Sequence, residues 1–94
     1  MREIELDASN WSSAADFYEA LLPNLGAPGW HGHNLNALWD SITSDINEVM
    51  PPFRVRVRHA NNLSSDMAAL LAGASSVFVD AKNERGIDVF FNIC

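Results

Sequence analysis

The chain has 94 residues, 48% of them apolar and 10% aromatic, and twelve acidic against six basic side chains give it a formal charge of −6. That length supports one hydrophobic core, so residues 1–94 are expected to form a single domain that folds alone. The charge argues against direct nucleic-acid binding, because phosphates would be repelled, and it favours encounter with a basic protein. No run approaches the roughly 20 apolar residues that span a bilayer, and no apolar signal core follows Met1, Arg2 and Glu3, so neither a membrane protein nor a secreted one is expected. The lone cysteine, Cys94, has no intrachain partner, which fits a reducing, cytoplasmic setting.

In residues 2–6, Ile4 and Leu6 alternate with Glu3 and Glu5, the period-two pattern of a half-buried strand. Ser13 followed by Asp16 forms a capping box and opens a helix that buries Phe17 and Leu21, with Ala14 as a further candidate and Pro23 near its end. Residues 24–33 contain Gly26, Pro28, Gly29 and Gly32 and make an irregular loop that carries Trp30, His31 and His33. A second helix is expected from the N-cap Asn34 to about residue 48, where Pro51 and Pro52 stop it. Phe53, Val55 and Val57 alternate with Arg54, Arg56 and Arg58, giving a strand with one apolar and one basic face. Ser64 or Ser65 caps a short helix with Met67, Leu70 and Leu71, which Gly73 is expected to interrupt; a further helix starts near Ser75 or Ser76 and closes at Gly86. Ile87, Val89, Phe91 and Ile93 alternate as a third strand.

Strands separated by helices imply parallel pairing with right-handed crossovers, hence an α/β domain of three parallel strands and about four helices. The basic strand is best placed centrally, between Glu3 and Glu5 on one side and Asp88 on the other, giving the order 1-2-3. In that arrangement the arginine stripe is structural; the alternative is a nucleic-acid patch.

On a wheel of the second helix, Leu35, Leu38, Trp39, Ile42 and Ile46 share one face, while Asn36, Asp40, Thr43, Ser44 and Asn47 lie on the other. The polar stripe is either an ordinary solvated face or the centre of an interface, the latter favoured by Trp39 at its edge and by Trp30 in the loop before it. Asp40 with His31 or His33 would be the only acid/base pair, and nothing places a nucleophile or an oxyanion donor beside it, so no enzyme is expected. His31 and His33 are too few to hold zinc, and phosphate-loop and dinucleotide motifs are missing, so no metal or cofactor is expected.

The stretch Gly32-His33-Asn34-Leu35-Asn36-Ala37-Leu38-Trp39-Asp40, with Ile42 and Thr43 after it, resembles the G-x-N-L-[DN]-A-L-W-D segment of the barstar family. Val77-Phe78-Val79-Asp80-Ala81-Lys82, followed by Glu84 and Gly86, resembles that family's V-F-x-E-A-K-x-E-G helix end, with one extra residue near Arg85. The resemblance implies a barstar-like fold and an intracellular inhibitor or immunity protein that plugs a ribonuclease active site. Asp40 would be the central carboxylate, standing where a substrate phosphate goes. Trp30, His31, Asn34, Leu35, Asn36, Trp39 and Thr43 would surround it, with Ser44 and Asp45 after them. Asp80 on the last helix would supply a second acidic contact, and Val77 of the same helix would join the contact surface. Asn36 is neutral where the founding pattern has an acid, Trp30 and His31 replace two tyrosines, and Asp45 replaces a tryptophan, exchanges that imply a nuclease partner of its own. A non-inhibitory interaction module using the same helix is the alternative reading.

Overall fold

The computed structural model describes residues 2–26, 34–43, 51–61 and 63–93. Along the chain run β1 (Arg2–Asp7), α1 (Ala14–Leu25), α2 (Leu35–Thr43), β2 (Phe53–Arg58), α3 (Ser65–Arg85) and β3 (Val89–Ile93). The three strands form one parallel sheet in the order β1-β2-β3, the α/β arrangement expected from the alternation of strand and helix patterns.

Period-two patterning decides which way the sheet faces. Ile4, Leu6, Phe53, Val55, Val57 and Val89 are buried together with Phe17, Leu21 and Leu25 of α1, Leu38 and Ile42 of α2, and Met67, Leu71, Phe78 and Ala81 of α3. Edge-to-face ring contacts link this core across layers: Phe17 meets Phe91 at 6.3 Å, and Phe53 meets Phe78 at 6.2 Å. The register sets Ile4 beside Val55 and Leu6 beside Val57 on the covered face, and Glu3 beside Arg54 and Glu5 beside Arg56 on the other.

The second face shows what the arginine stripe does. Arg54 pairs with Glu3 at 3.3 Å, while Arg56 and Arg58 both reach Glu5 at 3.7 Å. These pairs are solvent-accessible, so each contributes between zero and about 1 kcal/mol, and their effect is to fix register and cancel like-charge repulsion along β2. The expected acid on the β3 side is different in kind. Asp88 lies ahead of β3 and its carbonyl accepts from the Phe53 amide at 3.2 Å, while the neighbours of Arg54 and Arg56 on β3 are Phe90 and Asn92. The Arg54 guanidinium stands 5.6 Å from the centre of the Phe90 ring.

Local signals account for the helix ends. Asp16 accepts from the backbone amides of Ser12 at 2.8 Å and Ser13 at 3.1 Å, which satisfies donors at the start of α1 and holds its carboxyl below the usual carboxylate range. Gly26 closes α1 at φ 70°, the left-handed conformation that a glycine adopts without a Cβ penalty, three residues past the helix-borne Pro23. Ala14, a candidate for burial, is exposed. The Met67 amide donates to Ser64 Oγ at 3.2 Å, so Ser64 rather than Ser65 is the cap of α3.

Two expectations about helices change. The segment expected to be two helices broken at Gly73 is one helix of 21 residues, so the described residues contain three helices where about four were anticipated. Gly73 sits inside α3 because α2 presses against it: a Cβ there would stand 2.7 Å from Leu35 Cδ1. Here glycine serves close helix approach instead of termination. For α2, the described helix ends at Thr43, and the predicted continuation to residue 48 falls outside the described residues.

Candidate functional site

The site begins with the way α2 is started. Ala37 donates its amide to Asn34 Oδ1 at 2.8 Å, and the Leu38 amide donates to the Asn34 carbonyl at 3.0 Å. Asn34 is therefore the N-cap that the sequence suggested, so a residue of the candidate surface also fixes where the helix starts.

From that start the wheel sorts the remaining side chains. Leu38 is fully buried and Ile42 is 5% exposed, which anchors α2 in the core. Ser41 is buried beside them, a position the wheel did not assign to the interior. Leu35 and Trp39 are half-buried at the edge, and Asn36 and Asp40 are exposed. Asn36 and Asp40 are four residues apart, so they form one outward stripe. Thr43, placed on the same stripe, is half-buried and donates its hydroxyl to the Trp39 carbonyl at 2.8 Å. That bond turns the hydroxyl towards its own helix.

Two contacts bind α2 to α3. Leu35 fills the space left by Gly73, and the Arg85 guanidinium lies over the Trp39 indole, 5.9 Å from the ring centre. The cation steadies the indole at the rim, a contribution of about 0.5 to 1 kcal/mol at an accessible position. Val77, half-buried, and Asp80, exposed, lie on α3 between Gly73 and Arg85 in sequence. The helix pair thus carries both predicted acids, Asp40 and Asp80, on adjoining elements with Trp39 between α2 and α3. Arg85 was legible beforehand only as an extra residue before Gly86; its place over Trp39 depends on how the helices dock.

Trp30, His31, Ser44 and Asp45, together with His33, lie outside the described residues. Among the described residues no group of three or more His, Cys, Asp or Glu side chains stands close enough to hold a metal ion. None of their helices is long and apolar enough to cross a membrane.

Exposed carboxylates beside a half-buried tryptophan, on a helix face rather than in a hollow, suit contact with another macromolecule. A desolvated carboxylate facing fixed cations gains charge-assisted hydrogen bonds, and α2 presents Asp40 without a basic side chain of its own, while Asp80 shares α3 with Lys82 and Arg85. A comparison with curated proteins finds no match. The sequence profile described as Barstar (barnase inhibitor) matches residues 1–94, and with the α2 motif and the parallel β1-β2-β3 sheet in place, the chain belongs to the barstar family.

Proposed function

We propose that this chain is an intracellular inhibitor of a ribonuclease, acting as an immunity protein or antitoxin, and that it blocks the nuclease active site with α2 and the loop before it. Family membership supports a ribonuclease-inhibitor role, and the observation that carries the finer reading is Asp40, exposed on a helix whose opposite side is locked into the core by Leu38 and Ile42. A carboxylate on such a rigid support loses little freedom on binding and can displace a substrate phosphate from arginine and histidine side chains.

In this reading Asp40 is the centre, Trp39 and Leu35 are the apolar contacts, and Asn34, Asn36 and Thr43 complete the helix face. Trp30 and His31 in front of α2, and Ser44 and Asp45 after it, extend the contact, while Val77 and Asp80 add the edge of α3. The protein is a single domain spanning residues 1–94, works in the cytoplasm without cofactor, and binds its nuclease one to one. It performs no catalysis and does not contact nucleic acid itself, since its negative charge mimics the substrate it excludes.

The test is retention of host proteins by the wild type and by Asp40→Ala, followed by assay of the retained partner's RNA cleavage with and without the inhibitor. A nuclease held and silenced by the wild type, with affinity lowered roughly thirtyfold or more in Asp40→Ala, is the expected result, equivalent to about 2 kcal/mol. Capture of a partner without nuclease activity, or capture indifferent to Asp40, would leave a general interaction module instead.

A further inference from the structure

The ends of β1 and β2 make a second feature that the inhibitor surface does not use. After Asp7 the sheet is prolonged by the Ala8 amide, which donates to the Arg58 carbonyl at 2.9 Å, and the two chains then diverge. His59 turns the second chain away at φ 62°, a left-handed conformation uncommon for a residue with a Cβ. Between the diverging segments lies a hollow of about 230 Å³ lined by Ala8, Ser9, Trp11, His59, Asn61 and Leu63.

We propose that this hollow is a small-molecule site for a single uncharged, planar heteroaromatic ring with an amide-like edge, of the nucleobase kind. Its size sets the first limit: drug-sized ligands occupy roughly 300 to 1,000 Å³, so a space below that range takes one ring system. Its walls set the second. Trp11 is half-buried and braced edge-to-face against Phe17 at 5.6 Å, which offers a fixed aromatic wall, and Leu63 and Ala8 supply the apolar remainder. Aromatic walls of this type stack on any base. The third limit is polar. Ser9, His59 and Asn61 bring a hydroxyl, an imidazole and a carboxamide, the last able to donate and accept at once, as an amide-like ring edge requires.

Charge excludes the alternatives. No lysine or arginine lines the hollow. The helix starts on this side of the sheet already have anionic partners, Asp16 in the first turn of α1 and Asp66 in that of α3. Asp7 adds a further carboxylate nearby, held below the usual range by the Ser9 amide at 2.9 Å and by its nearness to His59 and Arg58. With the carboxylates of Asp7, Asp16 and Asp66 at this end of the sheet set against Arg58 and the His59 imidazole, the hollow favours a neutral ring over a phosphate or an RNA backbone. The site is also remote from the proposed nuclease surface at its Trp39 end, because Arg85, which covers Trp39, ends α3 four residues before β3 begins and so stands towards the amino end of the sheet.

The experiment is a ¹⁵N heteronuclear titration of the full chain with adenosine and with uridine, each to millimolar concentration, alongside uridine monophosphate. Saturable shifts of the Trp11 indole and the Asn61 side-chain amide, with Asn36 and Asp40 unmoved, are expected. Asn61→Ala, an exposed position that leaves the fold intact, should raise the midpoint about tenfold, as loss of one or two neutral hydrogen bonds implies. Trp11→Ala should remove saturation altogether. Absence of saturable shifts with both nucleosides, shifts centred on α2, or tighter binding of the monophosphate than of uridine would each overturn the proposal. None of these outcomes bears on inhibition of a nuclease, which Asp40→Ala tests separately.

Discussion

Replacing Gly73 by alanine sets two effects of similar size against one another. Alanine is favoured over glycine inside a helix by about 1 kcal/mol, and Gly73 lies well within the 21 residues of α3. Against that gain, the added Cβ would meet Leu35 Cδ1 at 2.7 Å, where carbon atoms rest at roughly 3.5 to 4.0 Å. Leu35 is half-buried, so its end can swing away at a cost of about 0.5 to 1.5 kcal/mol, or α2 can shift as a unit for about 1 to 3 kcal/mol. Gly73→Ala should accordingly change stability by no more than about 2 kcal/mol, with the loss favoured. In a Leu35→Ala background the obstructing methyl is gone and the same substitution should stabilise by about 1 kcal/mol. Urea unfolding of the four proteins, with slopes compared to confirm a common unfolding transition, measures the coupling, expected at about 1 to 2 kcal/mol. If Gly73→Ala stabilises equally in both backgrounds, the Leu35 contact is not the reason for a glycine in this helix.

Leu38→Ala should cost about 2 to 5 kcal/mol of stability because the side chain is fully buried, whereas Asp40→Ala should move the melting transition by no more than about 0.5 kcal/mol equivalent, so thermal melts of the pair check which side of α2 faces the core. Ser64→Ala removes the acceptor of the Met67 amide and should destabilise by about 1 kcal/mol, with amide exchange accelerating first in the opening turn of α3. Asp16 has a lowered carboxyl because the Ser12 and Ser13 amides favour its ionised form, so its stabilising effect is present above about pH 4, the ordinary aspartate range, and is lost as pH falls through the lowered value. Asp16→Asn should flatten the acid limb of a plot of urea midpoint against pH between about pH 2 and 5, leaving the contribution of Asp7, which is lowered in the same direction.

How much of this was legible in the chain follows from which interactions are local. Alternation in β1 and β2 marks the buried Ile4, Leu6, Phe53, Val55 and Val57 because a strand turns successive side chains to opposite faces whatever its neighbours are. The Asp16 box and the Asn34, Ser64 and Gly86 caps are legible for the same reason, since their partners are within five residues, whereas Gly26 reads as part of the loop. Opposite charges on β1 and β2 even indicated the strand order, although the β3 side carries Phe90 and Asn92 where Asp88 was expected, because a shift of the strand start by two residues moves a side chain off the ladder. The exposed positions of Asn36 and Asp40 came from helical period alone.

Other features belong to the packed molecule. Gly73 has the same chemistry whether it ends a helix or lets another helix approach, and only Leu35 lying against it, thirty-eight positions earlier in the chain, decides between the two. Arg85 over Trp39 and the burial of Ser41 depend likewise on how α2 packs into the fold, whereas the Thr43 hydroxyl is turned in by a bond to Trp39 four residues back in its own helix. The hollow between Trp11 and His59 exists because two parallel strands end together and their chains part, a coincidence of register that no local pattern encodes. Periodicity and capping act between neighbours and are written in the chain, whereas helix approach, rim contacts and cavities arise between distant segments and are decided only when the fold brings those segments together.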